Sequence, residues 1–358
     1  MEAQTMVYLG VDLHRNLSHI VALDGAGEVV LERRFGNSPA EFLRVFGELA
    51  PEPLDVVFEA TYGWSWFAEL LADAGIPAHM AHPLATKAIA AGRVKNDAVD
   101  ARTLAHLLRT NLLPEAWIAP PDVREARRLV RMRVSLVRMR SRLKAQVHAL
   151  CADAGVALPV SDLFGRRGRE LLDGLALRPV SAGRLAASLR LIDDLGREIV
   201  EADREIQRLY RGDDRFSRLT PIPGIGLLTA AAIVAEVGDI TRFPSPERLT
   251  SWAGLTPTER SSADHTRRGH ISKQGSRWLR WAMVEAATRV GRSPALHRFA
   301  DPIADRRGVK IARVALARRL LTLAFYALRD PEGCRAYPPL RRSSRSTPAR
   351  SATVMASV

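Results

Sequence analysis

The chain has 358 residues, of which 47% are hydrophobic, and its 53 Lys+Arg against 39 Asp+Glu give a formal net charge of +14. This length predicts two or three domains, and the hydrophobic fraction excludes a wholly disordered chain. No run approaches the ~18 uninterrupted apolar residues of a membrane span, and Cys151 and Cys334 form neither a disulfide framework nor a zinc motif. We therefore expect a cytoplasmic protein without a membrane partner.

The charge is divided unevenly along the chain. Residues 1–110 hold 9 Lys+Arg against 14 Asp+Glu, a net of −5, so the remainder holds 44 against 25, a net of +19. A basic surface of that size attracts polyanions, with nucleic acid as the leading candidate. The acidic part would meet phosphates only through metal ions.

The first 115 residues predict an α/β domain. Three β-rich runs, MVYLGVDLH, SHIVALDG and EVVLERRFG, are separated by short turns and predict an antiparallel meander. A helix capped by Ser38 follows, and then the strand PLDVVFEAT, a helix closed by Gly75 and the short strand IPAHMAHP. This order of elements is that of the ribonuclease-H-like (RuvC-like) fold.

Residues 120–215 predict a helical coiled-coil segment. Apolar residues recur over 124–150 at alternating spacings of three and four, which predicts a seam, and nine Lys+Arg decorate the other faces. The seam residues are Leu129, Met132, Leu136, Met139, Leu143 and Leu150. A second helix over 183–211 would be the antiparallel partner, joined through 155–180, and the seam could support a dimer or tetramer.

Residues 216–330 predict a mostly α-helical domain, and we expect helices throughout 220–330. The segment 331–358 is rich in Pro, Ser and Arg, which predicts a disordered basic tail.

Four carboxylates in the first domain are candidates for a metal site. Asp12 lies in the middle of a strand with apolar neighbours, where a carboxylate is costly unless it is paired or bound to metal. Glu59 ends a strand that neighbours the first strand in this topology, and Asp97 and Asp100 are three apart on a predicted helix. Four such oxygen ligands suit two Mg²⁺ or Mn²⁺ ions ~3.5–4 Å apart and phosphodiester chemistry. The alternatives are an N-cap role for Asp97 and a surface position for Glu59.

Two further segments could meet phosphates. In the first segment, Gly224 and Gly226 stand before a helix of small residues, in TPIPGIGLLTAAAIVAEVGDI. This pattern is typical of a helix-hairpin-helix element, which binds a phosphate through its backbone amides. The alternative is a tight interhelical turn. Ser261 and Ser262 precede a basic cluster that would meet a phosphate, or they belong to a polar loop. That cluster consists of Arg267, Arg268, His270 and Lys273.

Over residues 7–330 the chain resembles transposases of the IS110 family of bacterial insertion sequences. The acidic motifs of the family's DEDD nuclease domain match VDLHRN, FEATYGW and KNDAVDAR in this chain. The resemblance implies that magnesium is bound by Asp12, Glu59, Asp97 and Asp100. PIPGIGLLTAAAIVAEVGDITRF, SWAGLTP and GHISKQGSRWLR match its second domain. A serine there is thought to attack DNA in this family.

The resemblance also implies which serine acts and which partners are present. The family motif reads Ser-Gly before Gly-x-Ile-Ser-Lys-x-Gly, so Ser262 aligns with the serine, Ala263 replaces the glycine, and Ser261 stays an alternative. Family members use donor DNA, target DNA and a structured non-coding RNA. We therefore expect a nucleoid-associated transposase whose tetrad and serine meet between domains or subunits. Its rivals are a junction-resolving nuclease that activates water and an inactive nucleic-acid-binding protein.

Overall fold

The computed structural model describes residues 6–89, 97–156, 159–262, 265–291 and 293–330. The chain divides between Ala119 and Pro120 into two compact units. The predicted tail, 331–358, lies outside the described residues. No helix in the described part of the chain is long and apolar enough to cross a membrane.

The first unit is a mixed sheet with helices. Its elements are β1 Val7–Leu13, β2 Leu17–Leu23, β3 Val29–Gly36, α1 Pro39–Leu49, β4 Leu54–Glu59, α2 Trp64–Asp73, β5 Ala78–Ala81, α3 Pro83–Ile89, α4 Asp97–Arg109 and β6 Glu115–Ala116. The sheet order is β3-β2-β1-β4-β5-β6; β1 to β3 form an antiparallel meander, and β4 lies parallel to both β1 and β5. The α/β prediction is confirmed in this order of elements, whereas the two-residue strand β6 was not predicted.

Local signals in the sequence account for the helix boundaries of this unit. Ser38 caps α1 by accepting a hydrogen bond from the backbone N–H of Glu41 at 3.2 Å. Gly75 follows α2 with φ of +67°, a conformation that favours glycine. The core beneath these helices joins Phe42 and Phe67, whose ring centroids are 4.6 Å apart, to strand residues such as Phe58.

The second unit is helical except for one hairpin. Its elements are α5 Pro121–Asp153, α6 Arg166–Asp173, α7 Pro179–Leu209, α8 Asp214–Leu219, α9 Leu227–Val237, a 3₁₀ turn Ile240–Arg242, α10 Pro246–Trp252, β7 Pro257–Ser262, β8 His265–Ile271, α11 Arg277–Thr288, α12 Pro294–Arg307 and α13 Val309–Arg329. The expectation of helices throughout 220–330 is wrong, because β7 and β8 pair as an antiparallel hairpin. The predicted segments 120–215 and 216–330 both lie within this unit.

The two longest helices pair antiparallel to each other. Arg133 on α5 binds Asp203 on α7 at 2.8 Å, and Val147, about four turns nearer the end of α5, packs with Leu189, which is earlier in α7. Helix α6 lies in the segment expected to be a simple connection.

The buried face of α5 differs from the predicted seam. Met132 and Met139 are 49% and 48% exposed, whereas Ala126, Val130 and Val134 are buried. Of the other predicted seam residues, Leu150 is buried, and Leu129 and Leu143 pack against buried clusters. The buried face of α5 therefore shares only part of the predicted seam.

Candidate active site

Asp12 is a buried carboxylate in the middle of the sheet. It lies on β1 between β2 and β4, and the residue is 7% exposed. Nε2 of His14 lies 3.0 Å from its Oδ2. Burial of a carboxylate is costly unless polar or metal partners compensate it, so this position is the strongest single indication of a site. The sequence analysis missed His14, which directly follows β1 and stands two residues after Asp12.

The strand register brings Glu59 beside Asp12. β1 and β4 are parallel, with Val7 opposite Leu54 and Val11 opposite Phe58, and the next step along both strands reaches the two carboxylates. Because side chains alternate across a strand, Asp12 shares its face with Gly10. Glu59 likewise shares its face with Val57, which packs with α4. The prediction that these two strands are neighbours is confirmed.

Helix α4 covers this face and runs opposite to β1. A Cβ added to Gly10 would lie 2.0 Å from the carbonyl oxygen of Ala101, so the helix crosses the strand almost in backbone contact. At the other end of α4, Arg109 donates to the carbonyl of Gly25 at 3.1 Å, in the turn that follows β2. The start of α4 therefore lies toward the end of the sheet that holds Asp12.

Asp100 lies in the first turn of α4, toward the same end of the sheet as the two strand carboxylates. It is half-buried and lies one residue before Ala101, which packs against Val21 and Leu23. Asp97 is the first residue of α4, and its side chain lies outside the described ones. The backbone thus brings together the elements that carry all four predicted residues.

The donor set suits a hard divalent cation. Asp12, Glu59 and Asp100 offer carboxylate oxygens, which Mg²⁺ and Mn²⁺ prefer. Among the side chains that the structure describes, no group of three or more His, Cys, Asp or Glu is arranged to hold a metal ion. The chemistry of the donors and the burial of Asp12 fit such an ion.

The serines lie at the tip of the β7–β8 hairpin in the second unit. Ser262 pairs with His265 and Ser261 with Thr266, and Ser262 is the last residue of β7. Arg267 and Arg268 lie on β8 opposite Arg260 and Glu259. The side chains of residues 260–268 lie outside the described ones.

Lys273 lies in a loop that is fixed against the end of α10. Its backbone N–H donates to the carbonyl of Gly254 at 3.2 Å, and its φ is +55°. A Cβ on Gly275 would lie 1.8 Å from the carbonyl oxygen of Trp252. The exposed Lys273 side chain thus projects from a tightly packed backbone.

The two glycines before α9 have different surroundings. Gly224 has φ of +87°, and a Cβ there would lie 2.3 Å from the carbonyl oxygen of Ala286. A Cβ on Gly226, the N-cap residue of α9, would meet nothing within 4 Å. Close packing alone accounts for the absence of a side chain at position 224, whereas it does not account for the glycine at position 226.

A buried ionic cluster was missed by the sequence analysis. Glu236, 2% exposed, accepts two hydrogen bonds from Arg131, at 2.8 and 2.9 Å, and one from Ser276 at 2.8 Å. Arg127 donates to the carbonyl of Glu236 at 2.8 Å, and burial lowers the pKa of this guanidinium. The signal was present as the single acidic residue inside the apolar run AAAIVAEV.

Comparison with known proteins identifies related transposases. Residues 9–153 match a DEDD family model of the IS110 type, described as "Transposase", and residues 216–300 match the model described as "Transposase IS116/IS110/IS902 family". The chain is 27% identical over 341 residues to a Pseudomonas aeruginosa protein named as a family 20 transposase, covering 91% of this chain and 97% of that protein.

Two other relatives extend this picture. The transposase for insertion sequence element IS1111A of Coxiella burnetii is 25% identical over 323 residues, covering 87% of this chain and 86% of that protein. The pilin gene-inverting protein of Moraxella bovis is 31% identical over 140 residues, covering 37% and 44% respectively. With matches to both family models and to transposases along most of its length, the chain belongs to the IS116/IS110/IS902 family of insertion-sequence transposases.

Proposed function

We propose that this transposase cuts and rejoins DNA through the acidic tetrad Asp12, Glu59, Asp97 and Asp100 and a serine nucleophile, Ser262. The observation that carries the proposal is the placement of Asp12 and Glu59 on neighbouring parallel strands, on the face that α4 covers. That placement supports a divalent metal site at one end of a sheet whose core is largely built of apolar residues.

The carboxylates would hold Mg²⁺, with Mn²⁺ as a substitute. When bound, the ion supplies Lewis-acid polarisation of a phosphate and charge neutralisation in a region of net charge −5. His14, 3.0 Å from Asp12, orients the carboxylate. The buried position of Asp12 restricts the access of water to this side of the site.

Ser262 would attack the phosphorus of the scissile phosphodiester. The Ser262 Oγ–P bond forms as the bond from phosphorus to a deoxyribose oxygen breaks, and the hydroxyl proton ends on the leaving oxygen. Later attack by a strand hydroxyl on the serine ester restores the phosphodiester and frees the serine. Arg267, Arg268 and Lys273 would bind the phosphate oxygens, and the amides near Gly224 and Gly226 would bind a second backbone phosphate.

The partners follow from charge and from the family. The net charge of +19 on residues 111–358 supports donor and target DNA as ligands. We propose a structured non-coding RNA as a further partner. We also propose a homodimer or homotetramer, with the exposed Met132 and Met139 of α5 as a surface for assembly.

Trapping of the covalent intermediate tests the serine. End-labelled element DNA is incubated with Mg²⁺ and each variant and then separated on a denaturing gel. Ser262→Ala should lose both the adduct and strand transfer, whereas Ser261→Ala and the exposed control Ser251→Ala should keep both.

Two outcomes would change the assignment. Adduct retained in Ser262→Ala and lost in Ser261→Ala moves the nucleophile by one residue. Full cleavage by the double variant, with no adduct from the wild type, indicates a nuclease that activates water.

A further inference from the structure

Helices α5 and α11 meet at a cluster of arginines stacked on tryptophans. The Arg138 Cζ atom lies 4.9 Å from the ring centroid of Trp278 and 5.7 Å from that of Trp281. Arg277 contributes a second guanidinium, 5.2 Å from the Trp278 ring. Both indoles are half-buried, so they form a fixed platform under two exposed cations.

These two cations differ from the third arginine at the same platform. Arg131 lies 5.8 Å from the Trp278 ring, but its charge is neutralised by the two hydrogen bonds to Glu236. Arg138 and Arg277 form no ion pair with any carboxylate in the described part of the chain. The cluster therefore carries two positive charges without an internal counter-ion.

The platform borders a groove on the surface of the second unit. The groove has a volume of about 950 Å³, and Arg138, Arg140 and Trp281 line one part of it while the turn at Gly224 lines another. Arg140 likewise has no ion pair among the described residues. The remaining charged residues in the lining are paired, Arg133 with Asp203 and Glu285 with Arg289.

A cation–π contact with an indole uses none of the N–H donors of the guanidinium as hydrogen bonds. Those donors therefore stay available, and their forked geometry matches two oxygens of a phosphate. Holding the side chain in advance also lowers the entropy lost when the ligand binds. Two such arginines on one platform therefore suit a ligand that carries several phosphates in a row.

We propose that Arg138, which lines this groove, and Arg277, which lies beside it on the shared Trp278 ring, clamp the phosphate backbone of DNA. This inference rests on the proposed function only in taking DNA as the ligand, and it is independent of the tetrad and of the serine. DNA is the occupant because the residues after 110 carry +19 and the related proteins are transposases.

The test is the salt dependence of DNA binding by the full chain. The double variant Arg138→Gln/Arg277→Gln is compared with Arg197→Gln/Arg204→Gln, which removes the same charge from two exposed arginines that are paired with Asp194 and Glu201. Binding of fluorescein-labelled duplex DNA is measured by anisotropy between 50 and 400 mM salt.

Loss of two phosphate contacts should lower the slope of log K against log salt by about 1.8 and weaken binding about 30-fold at 0.15 M salt. The control should keep the wild-type slope. Arg138→Lys/Arg277→Lys should also keep the slope, because it retains both charges.

Three outcomes would overturn the clamp. The first is an unchanged salt slope in the glutamine variant, and the second is an equal loss of DNA affinity in the control pair. The third is a loss of DNA affinity in the lysine variant as large as in the glutamine variant, which would indicate damage to the α5–α11 packing. If the wild type binds no DNA at all, the proposed function itself fails, whereas wild-type binding with an unchanged slope removes only the clamp.

Discussion

Replacing Gly10 with alanine tests how closely α4 must approach the sheet. The added Cβ would lie 2.0 Å from the carbonyl oxygen of Ala101 and 2.8 Å from the backbone nitrogen of Ala105. Ordinary contact begins at 3.4 Å, so the helix or the strand must move by about 1.4 Å. Because both partners are backbone, rotation of a side chain cannot relieve the clash, and the cost should reach the upper part of the range for overpacking, about 3 kcal/mol.

The displacement should affect chemistry as well as stability. Asp100 lies one residue before Ala101, and a misplacement of ~1 Å at a catalytic group costs about 10²-fold in rate. We therefore expect Gly10→Ala to lower the melting temperature of the first unit by roughly 12 °C and to slow Mg²⁺-dependent DNA cleavage at least ~100-fold.

Calorimetry and a cleavage time course measure these two effects. Gly47→Ala is the matched control, because its Cβ meets nothing within 4 Å and alanine favours the helix α1 by about 0.5–1 kcal/mol. Wild-type melting and cleavage in Gly10→Ala would refute the close approach of α4 to β1 and, with it, the placement of Asp100.

Further predictions concern the second unit. Glu236→Ala removes the hydrogen-bond acceptor of Arg131 and Ser276 and should lower the free energy of unfolding by about 1–3 kcal/mol, seen as a melting temperature lower by roughly 2–12 °C. An unchanged melting curve would contradict the buried cluster. Gly224→Ala should destabilise the fold, because its Cβ would clash with the carbonyl oxygen of Ala286 and its φ is +87°. Gly226→Ala should fold normally and weaken DNA binding. Normal DNA binding by Gly226→Ala would remove the proposed phosphate site at the backbone amides before α9. For the full chain, 6–10 phosphate contacts predict that DNA affinity falls ~10³–10⁵-fold between 50 and 200 mM salt, measured by anisotropy, and a flat response would contradict the charge argument.

The fold of the first unit followed closely from sequence because several local signals agreed. Alternating runs gave β1 to β3, Ser38 marked the start of α1, and Gly75 marked the end of α2. The pairing of β1 with β4 then followed from topology and placed Glu59 next to Asp12. The strand β6 is only two residues long, too short to show a periodicity.

The parts that sequence reasoning missed depend on tertiary contacts. The strands β7 and β8 are rich in Arg and Ser, so they lack the alternation of apolar and polar residues that predicts a strand. Their backbone pairing with each other defines the hairpin. Met132 was predicted on the seam but is exposed, whereas Val130 and Val134, which lie off the seam, are buried. Heptad spacing alone does not show which face of a long helix finds a partner in the same chain.

The central claim is that a metal held by carboxylates at the end of β1 performs the cleavage. Asp12→Asn changes one buried carboxylate in this site, and Asp73→Asn changes an exposed carboxylate of the same unit as a control. The measurement is the rate of Mg²⁺-dependent cleavage of labelled element DNA, with DNA affinity determined in parallel. The account predicts that Asp12→Asn abolishes cleavage and keeps its DNA affinity within about twofold, because binding resides in the basic region, while Asp73→Asn matches the wild type. Cleavage by Asp12→Asn at the wild-type rate would contradict the account.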